Sequence, residues 1–251
     1  MKSFWRVVPL VLSVPLAAIL AWGFAEALVP AGGAAVPPPA TPPAIVRRGG
    51  QYLTLALGDS LTRGTGAASG SGYVDVVAEA LRKEKAGFRL ENLAIEGLES
   101  RGLRDLLSHP EAQALAGSAD AILLSIGGND LSHAAGGAFA AAPIERLAEA
   151  RKGFETNLEA ILALLRARNP SAPILMLLLY NPFGSPDLGN AGSSVIADWN
   201  ASAQKIALVH GVRAVPTFDI FEHHADRLSS DRFHPNEAGY RLIAGRIREA
   251  W

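Results

Sequence analysis

Residues 50–251 are predicted to fold as one α/β domain, a three-layer α/β/α arrangement around a five-stranded, parallel, doubly wound sheet. Two observations carry this. Short apolar runs alternate five times with amphipathic segments, the pattern of parallel strands with helices on both faces. The central runs are also continuously apolar rather than alternating, as strands covered on both faces require.

The first 49 residues stand apart from that pattern. Lys2 and Arg6 precede an almost uncharged stretch from Val7 to Ala25, close to the ~20 residues that span a bilayer as a helix. The positive flank predicts a cytoplasmic N-terminus with the remainder exported. Residues 1–29 therefore read as a membrane anchor, in which 4–29 tether an extracytoplasmic domain, although Pro9 and Pro15 would kink the span. The alternative is a signal peptide cleaved near Ala25-Glu26-Ala27, which has the A-x-A form and would leave a secreted protein. Residues 30–49 are rich in Pro, Ala and Gly, with Pro37-Pro38-Pro39 and Pro42-Pro43, and read as an extended, semi-rigid linker.

Within the domain, residues 52–57 (YLTLAL) form the first strand and end in Gly58-Asp59-Ser60. Residues 73–85 carry apolar side chains at 73, 74, 76, 77, 80 and 81, a helical stripe. A second strand is expected over 89–94 and a helix from 102 to 107. Residues 119–126 (ADAILLSI) form a buried strand, and a long helix over 144–168 is stopped by Asn169-Pro170. The most hydrophobic strand, 174–180, ends at Asn181-Pro182; a helix over 194–210, a short strand over 212–215 and a closing helix over 236–249 complete the series. Right-handed crossovers place the loops after each strand along one edge, where ligands bind in such sheets.

Composition narrows the function. Charged residues are 19% and hydrophobic ones 49%, which excludes general disorder. The net charge is 23 − 24 = −1, and four of the cations (Lys2, Arg6, Arg47, Arg48) precede the domain. A mildly acidic body has no basic stripe to wrap nucleic acid, so no nucleic-acid partner is expected. The absence of cysteine excludes disulfide frameworks, thiolate metal sites and cysteine nucleophiles.

Four clusters fall after strands or before the last helix: Gly58 to Thr62, Asn92 to Gly97, Gly127 to Asp130, and Asp231 to Pro235. Each has a bland explanation as a turn or helix cap. Together they place a nucleophile, hydrogen-bond donors, a base and a carboxylate on one edge, which turns alone do not require. A serine hydroxyl attacks only when a base takes its proton. Ser60 would project from the edge, and Asp231, three residues before His234, can reach the Nδ1 side of its imidazole and leave Nε2 facing the serine. The backbone N–H groups of Ser60 and Gly97 and the side-chain amide of Asn129 supply three donors for an oxyanion.

The same residues resemble the SGNH or GDSL hydrolases. Gly58-Asp59-Ser60-Leu61 is similar to the family's first block, which carries the nucleophile, and Asn92 to Gly97 to the second, whose glycine donates its N–H. Gly128-Asn129-Asp130 is similar to the third, whose asparagine donates its amide, and Asp231-Arg232-Phe233-His234-Pro235 to the last, with both remaining triad members. All four stand in the expected order, with Ala94 where many members carry a further glycine. The resemblance implies a flavodoxin-like SGNH hydrolase fold and a serine esterase or lipase-type hydrolase without metal or organic cofactor. Ser60, Asp231 and His234 would form the triad, and Ser60, Gly97 and Asn129 the oxyanion hole. The substrates it implies are small-molecule or lipid esters: lipid, lysophospholipid or short acyl esters. The alternatives are removal of O-acetyl groups from a cell-envelope carbohydrate and a catalytically silent binding module on the same fold.

Other residues carry weaker expectations. Asp59 is expected to hold the turn under Ser60, and Asp130 to be a structural support. His133 is expected to be solvated rather than to line the pocket, and His223-His224, with Asp219 and Asp226, to form an exposed loop rather than a metal site. Gly64-Thr65-Gly66 is not a dinucleotide fingerprint, since the sixth position is Ser69. Acyl-chain length would be set by loops such as 136–143 and 183–192.

Overall fold

Five parallel strands form the centre of the domain: β1 (Tyr52–Gly58), β2 (Phe88–Asn92), β3 (Ala121–Ser125), β4 (Ile174–Leu177) and β5 (Arg213–Val215), in the order β2-β1-β3-β4-β5. The computed structural model describes residues 50–136, 142–182 and 189–251, with the backbone alone for 189–191. The expected anchor or signal peptide and the linker lie outside the described residues.

The continuous apolar strands are explained by what they face. Leu55 and Leu57 of β1, Ile122 and Leu124 of β3, and Ile174 and Met176 of β4 enter one core. The residues between them, Ala56, Ala121, Leu123, Leu175 and Leu177, enter the other. A period of two thus puts apolar side chains on both faces. The first core is covered by α3 (Ser100–Leu106), α4 (Pro110–Ser118), α5 (Gly128–Ala135), α6 (Ile144–Arg168) and α7 (Gly189–Val209). The second is covered by α2 (Tyr73–Glu84), α8 (Phe218–Phe221) and α9 (Glu237–Glu249). A one-turn helix, α1 (Ser60–Arg63), leads directly out of β1. The expected α/β/α layering is the one observed.

The differences from the expected elements have local causes. β4 stops at Leu177 rather than continuing to 180, because Asn200 of α7 takes both backbone groups of Leu179, at 2.8 Å each, in place of a strand. Helix α4 went unexpected because its buried residues are the alanines Ala112 and Ala116, which give little periodic signal. Helix α5 begins inside the Gly-Gly-Asn-Asp sequence that reads as a turn. At the last helix, Asn236 is the cap, its side chain accepting from Ala238 and Gly239 N–H. Asp231 and His234 therefore precede α9 and are not part of it.

The chain leaves β1 for β2 on one side and returns to β3 on the other. A crevice opens at such a switch point, between the carboxyl ends of the two strands. Ser60 follows one of them and Asn129 the other.

Candidate active site

The serine follows a close approach of β1 to β3. Gly58 has φ +135° and pairs with Ser125; a Cβ there would stand 2.0 Å from the Ser125 carbonyl oxygen, so no other residue fits. Asp59 then caps α1, accepting the Leu61 N–H at 3.1 Å, which confirms its expected place under the turn. Ser60 is the first residue of α1 and is nearly buried. The chain turns back through Gly66, at φ +98°, where a Cβ would lie 2.6 Å from both His234 Cβ and the Pro235 carbonyl. Gly66 therefore lets this loop pack against the histidine, a role that its flanking sequence does not reveal.

The histidine is held by a turn wound around one carboxylate. Asp231 Oδ1 accepts from Ser229 Oγ (2.6 Å), Phe233 N (2.8 Å) and His234 N (2.9 Å), and Arg232 takes φ +55° to bring these donors together. Asp231 Oδ2 faces His234 Nδ1 at 2.7 Å, and His234 Nε2 faces Ser60 Oγ at 2.9 Å. Burial pushes the Asp231 carboxyl up, but the donors from Ser229, His234 and the two backbone N–H groups outweigh it and hold it well below the usual carboxylate range. An ionised carboxylate only accepts, so Nδ1 carries the ring proton and Nε2 is left to accept from the serine hydroxyl. Tyr180, three residues beyond the end of β4, supports the turn, its hydroxyl donating to the Phe233 carbonyl at 2.7 Å.

Asn129 lies in the first turn of α5 and donates one amide hydrogen to the Leu98 carbonyl at 3.0 Å. Its neighbour Asp130 accepts from Ser100 N and Oγ, at 2.9 and 2.5 Å, and so joins α5 to α3 as a structural support. Burial raises the Asp130 carboxyl, and those donors oppose the rise. Ser60, Asn129 and His234 line one cavity of about 70 Å³, whose other walls include Leu131, Leu179, Pro182 and Ile196. Gly97 lies elsewhere: it lines a shallower neighbouring groove with Ile95, Glu99 and His133, one residue before the Leu98 that receives Asn129. The described geometry thus joins four of the five expected site residues directly, and Gly97 through its neighbour.

His133 is exposed, its Nδ1 2.5 Å from Glu99 Oε1. His224 meets Asp226 at 3.6 Å, while Asp219 pairs with Arg246 at 2.7 Å and so is engaged away from that pair. A hydroxyl hydrogen-bonded to a base, a carboxylate that orients that base and an amide beside the same cavity are the groups acyl transfer requires. Residues 137–141 and 183–188, in the loops expected to set chain length, are outside the described residues.

Comparison with known proteins identifies the family. Residues 56–242 match the family model described as GDSL-like Lipase/Acylhydrolase family. The chain is similar to an uncharacterized protein, YpmR, of Bacillus subtilis, at 35% identity over 78% of this chain and 79% of that one. It is also similar to the spore germination lipase LipC of Bacillus licheniformis, at 26% identity over 78% of this chain and 94% of that one. Among solved structures, the lipase Lip_vut3 from a goat rumen metagenome superposes with a TM-score of 0.72 at 25% identity, over 80% of this chain and 97% of that one. With the model covering most of the folded domain and the fold shared, the chain belongs to the GDSL-like lipase and acylhydrolase family, a family of ester hydrolases.

Proposed function

We propose that the protein hydrolyses carboxylic esters through an acyl-enzyme on Ser60. The observation that carries this is the continuous hydrogen-bonded chain from Ser60 Oγ through His234 to Asp231, at 2.9 and 2.7 Å. As Ser60 attacks the ester carbonyl, His234 Nε2 takes its proton, and Asp231 orients the ring and stabilises the imidazolium. The oxyanion receives the Ser60 N–H and the second amide hydrogen of Asn129, both beside the cavity; the expected third donor, the Gly97 N–H, belongs to the neighbouring groove and is not among the groups lining the cavity. His234 then returns the proton to the leaving alcohol, and water resolves the acyl-enzyme by the same steps in reverse order. No step calls for a metal or organic cofactor.

The apolar walls at Leu131, Leu179, Pro182 and Ile196 favour an acyl group of hydrocarbon character, hence lipid, lysophospholipid or short acyl esters. The similarity to a lipase of spore germination supports the same class. Residues 4–29 would tether the domain outside the cell membrane; a mature secreted form beginning near Glu26 would instead mark that segment as a signal peptide. Among the described residues, no helix is long and apolar enough to cross a membrane.

The test is a hydrolysis panel on the purified chain, with p-nitrophenyl esters of increasing length, lysophospholipid and acetylated sugars. Turnover of medium or long acyl chains or of lysophospholipid, abolished by Ser60→Ala, is the expected result. A peak at acetate with good sugar turnover would make the protein a carbohydrate O-acetyl esterase. Ligand binding without turnover would make it a binding module.

A further inference from the structure

Beneath Ser60 lies a set of buried hydroxyls that the mechanism above does not use. Asp59 is 5% exposed, and its Oδ1 accepts from Ser125 Oγ at 2.6 Å as well as from the Leu61 N–H. Ser125 Oγ lies 2.7 Å from Thr62 Oγ1, which lies 2.6 Å from the Tyr73 hydroxyl. Ser125, Thr62 and Tyr73 are all nearly inaccessible to solvent.

Each hydroxyl has one hydrogen, and this sets a direction. If Ser125 donates to a carboxylate, its contact with Thr62 must be one that it accepts. Thr62 then donates to Ser125 and accepts from Tyr73. The row is a one-way chain, Tyr73 to Thr62 to Ser125 to Asp59, whose members polarise one another. We infer that this hydroxyl chain holds Asp59 as a buried carboxylate and makes it the positioning residue that aims Ser60 at His234. The inference rests on the assignment of Ser60 as nucleophile.

The competing forces are visible. Burial raises the Asp59 carboxyl above its ordinary value, and the Ser125 and Leu61 donors, with the nearby His234, oppose the rise. Burial also pushes the Tyr73 phenol up, so the far end of the chain keeps its proton. The titratable groups around Asp59 are His234 from the 231–235 turn, Tyr73 from α2, Tyr180 beyond β4 and Tyr240 from α9. Burial raises the three phenols, so they stay neutral, and Asp59 depends on hydrogen bonds to keep its charge.

The experiment follows the carboxyl carbon of Asp59 by NMR in aspartate-labelled protein as pH is varied, beside kcat and KM for a p-nitrophenyl ester. Wild type is compared with Ser125→Ala, Thr62→Val and Tyr73→Phe. In Ser125→Ala the Asp59 midpoint should rise by about one to two pH units, the shift expected on losing one hydrogen bond to a charged group. The rise should be smaller in Thr62→Val and smallest in Tyr73→Phe, and kcat should fall in the same order at nearly constant KM. Packing alone would lower the melting temperature and leave the midpoint where it was. An unmoved midpoint in both Thr62→Val and Tyr73→Phe, which keep side-chain shape, overturns the chain even if Ser125→Ala fails to fold. Ester hydrolysis that survives Ser60→Ala would remove the serine mechanism instead, and the aiming role of Asp59 with it, while the midpoints still decide the chain.

Discussion

Replacing Asp231 by asparagine changes one atom's chemistry while keeping the side chain's shape, and the turn around it dictates the outcome. Three donors converge on Oδ1: Ser229 Oγ, Phe233 N and His234 N. The amide oxygen must take that position, because an NH₂ there would face three hydrogens. The NH₂ is therefore forced onto the Oδ2 site, 2.7 Å from His234 Nδ1. Two N–H groups cannot face each other, so the ring proton moves to Nε2 and points at Ser60 Oγ. In that tautomer, His234 cannot accept the serine proton. A wrong tautomer with intact geometry costs about 10⁴ in kcat in the triad of serine proteases, and a loss of that order is expected for Asp231→Asn. KM should change little, since no contact with substrate is removed. The assay is steady-state hydrolysis of a p-nitrophenyl ester, with melting temperature measured on the same samples. A folded Asp231→Asn protein with kcat within about tenfold of wild type would refute the role of Nε2 as base.

Three other outcomes are expected. Asn129→Ala should lower kcat by about 10²–10³ through loss of an oxyanion donor. Loss of its bond to Leu98 should lower the melting temperature by only a few degrees, so normal kcat at reduced stability would strike Asn129 from the site. Gly66→Ala should reduce both kcat and stability, because its Cβ would meet His234 Cβ at 2.6 Å, whereas Gly70→Ala, with nothing within 4 Å of its Cβ, should cost stability alone; equal kcat in the two variants would contradict this. The pH dependence of stability follows from the depressed Asp231 carboxyl. Its contribution is fully present above the ordinary value of 3.8 and is lost as pH falls from there through the lower folded value, so the melting-temperature advantage of wild type over Asp231→Asn should begin to shrink only once pH falls to 3.8 and below.

Much of the site was legible in the sequence because its parts are local. The Asp231–His234 spacing of three residues, and Ser60 directly after an apolar run, each encode geometry within one turn of chain. Strand order was not legible in the residues, because an apolar run does not record which runs lie beside it. Helices α1 and α5 were hidden because they begin at Asp59-Ser60 and Gly127-Gly128, where capping and turn chemistry look alike. The hydroxyl chain was out of reach altogether. Ser125 is a single polar residue in an apolar strand, and its partners Thr62 and Asp59 lie 63 and 66 residues away, with no period to connect them. Gly66 looked like part of an ordinary loop because its reason lies across the fold, in His234.

The bond between Ser60 and His234 closes a loop of 174 residues, and that separation dates the appearance of activity within the life of the chain. The proposed nucleophile opens α1, directly after the first strand, yet its proposed base arrives just ahead of α9, whose Tyr240 hydroxyl donates to the Thr65 carbonyl five residues beyond Ser60. A partly synthesised polypeptide that still lacks the 231–235 turn therefore has no imidazole to pair with Ser60. Only when α9 docks through Tyr240, Ile243 and Ile247 does the imidazole come within reach of the hydroxyl. Contacts this distant in sequence form late, because their closure entropy must be met first. On the serine mechanism proposed above, the chain is silent while it is being made, and its first turnover marks the moment when the 231–235 turn has closed onto Ser60.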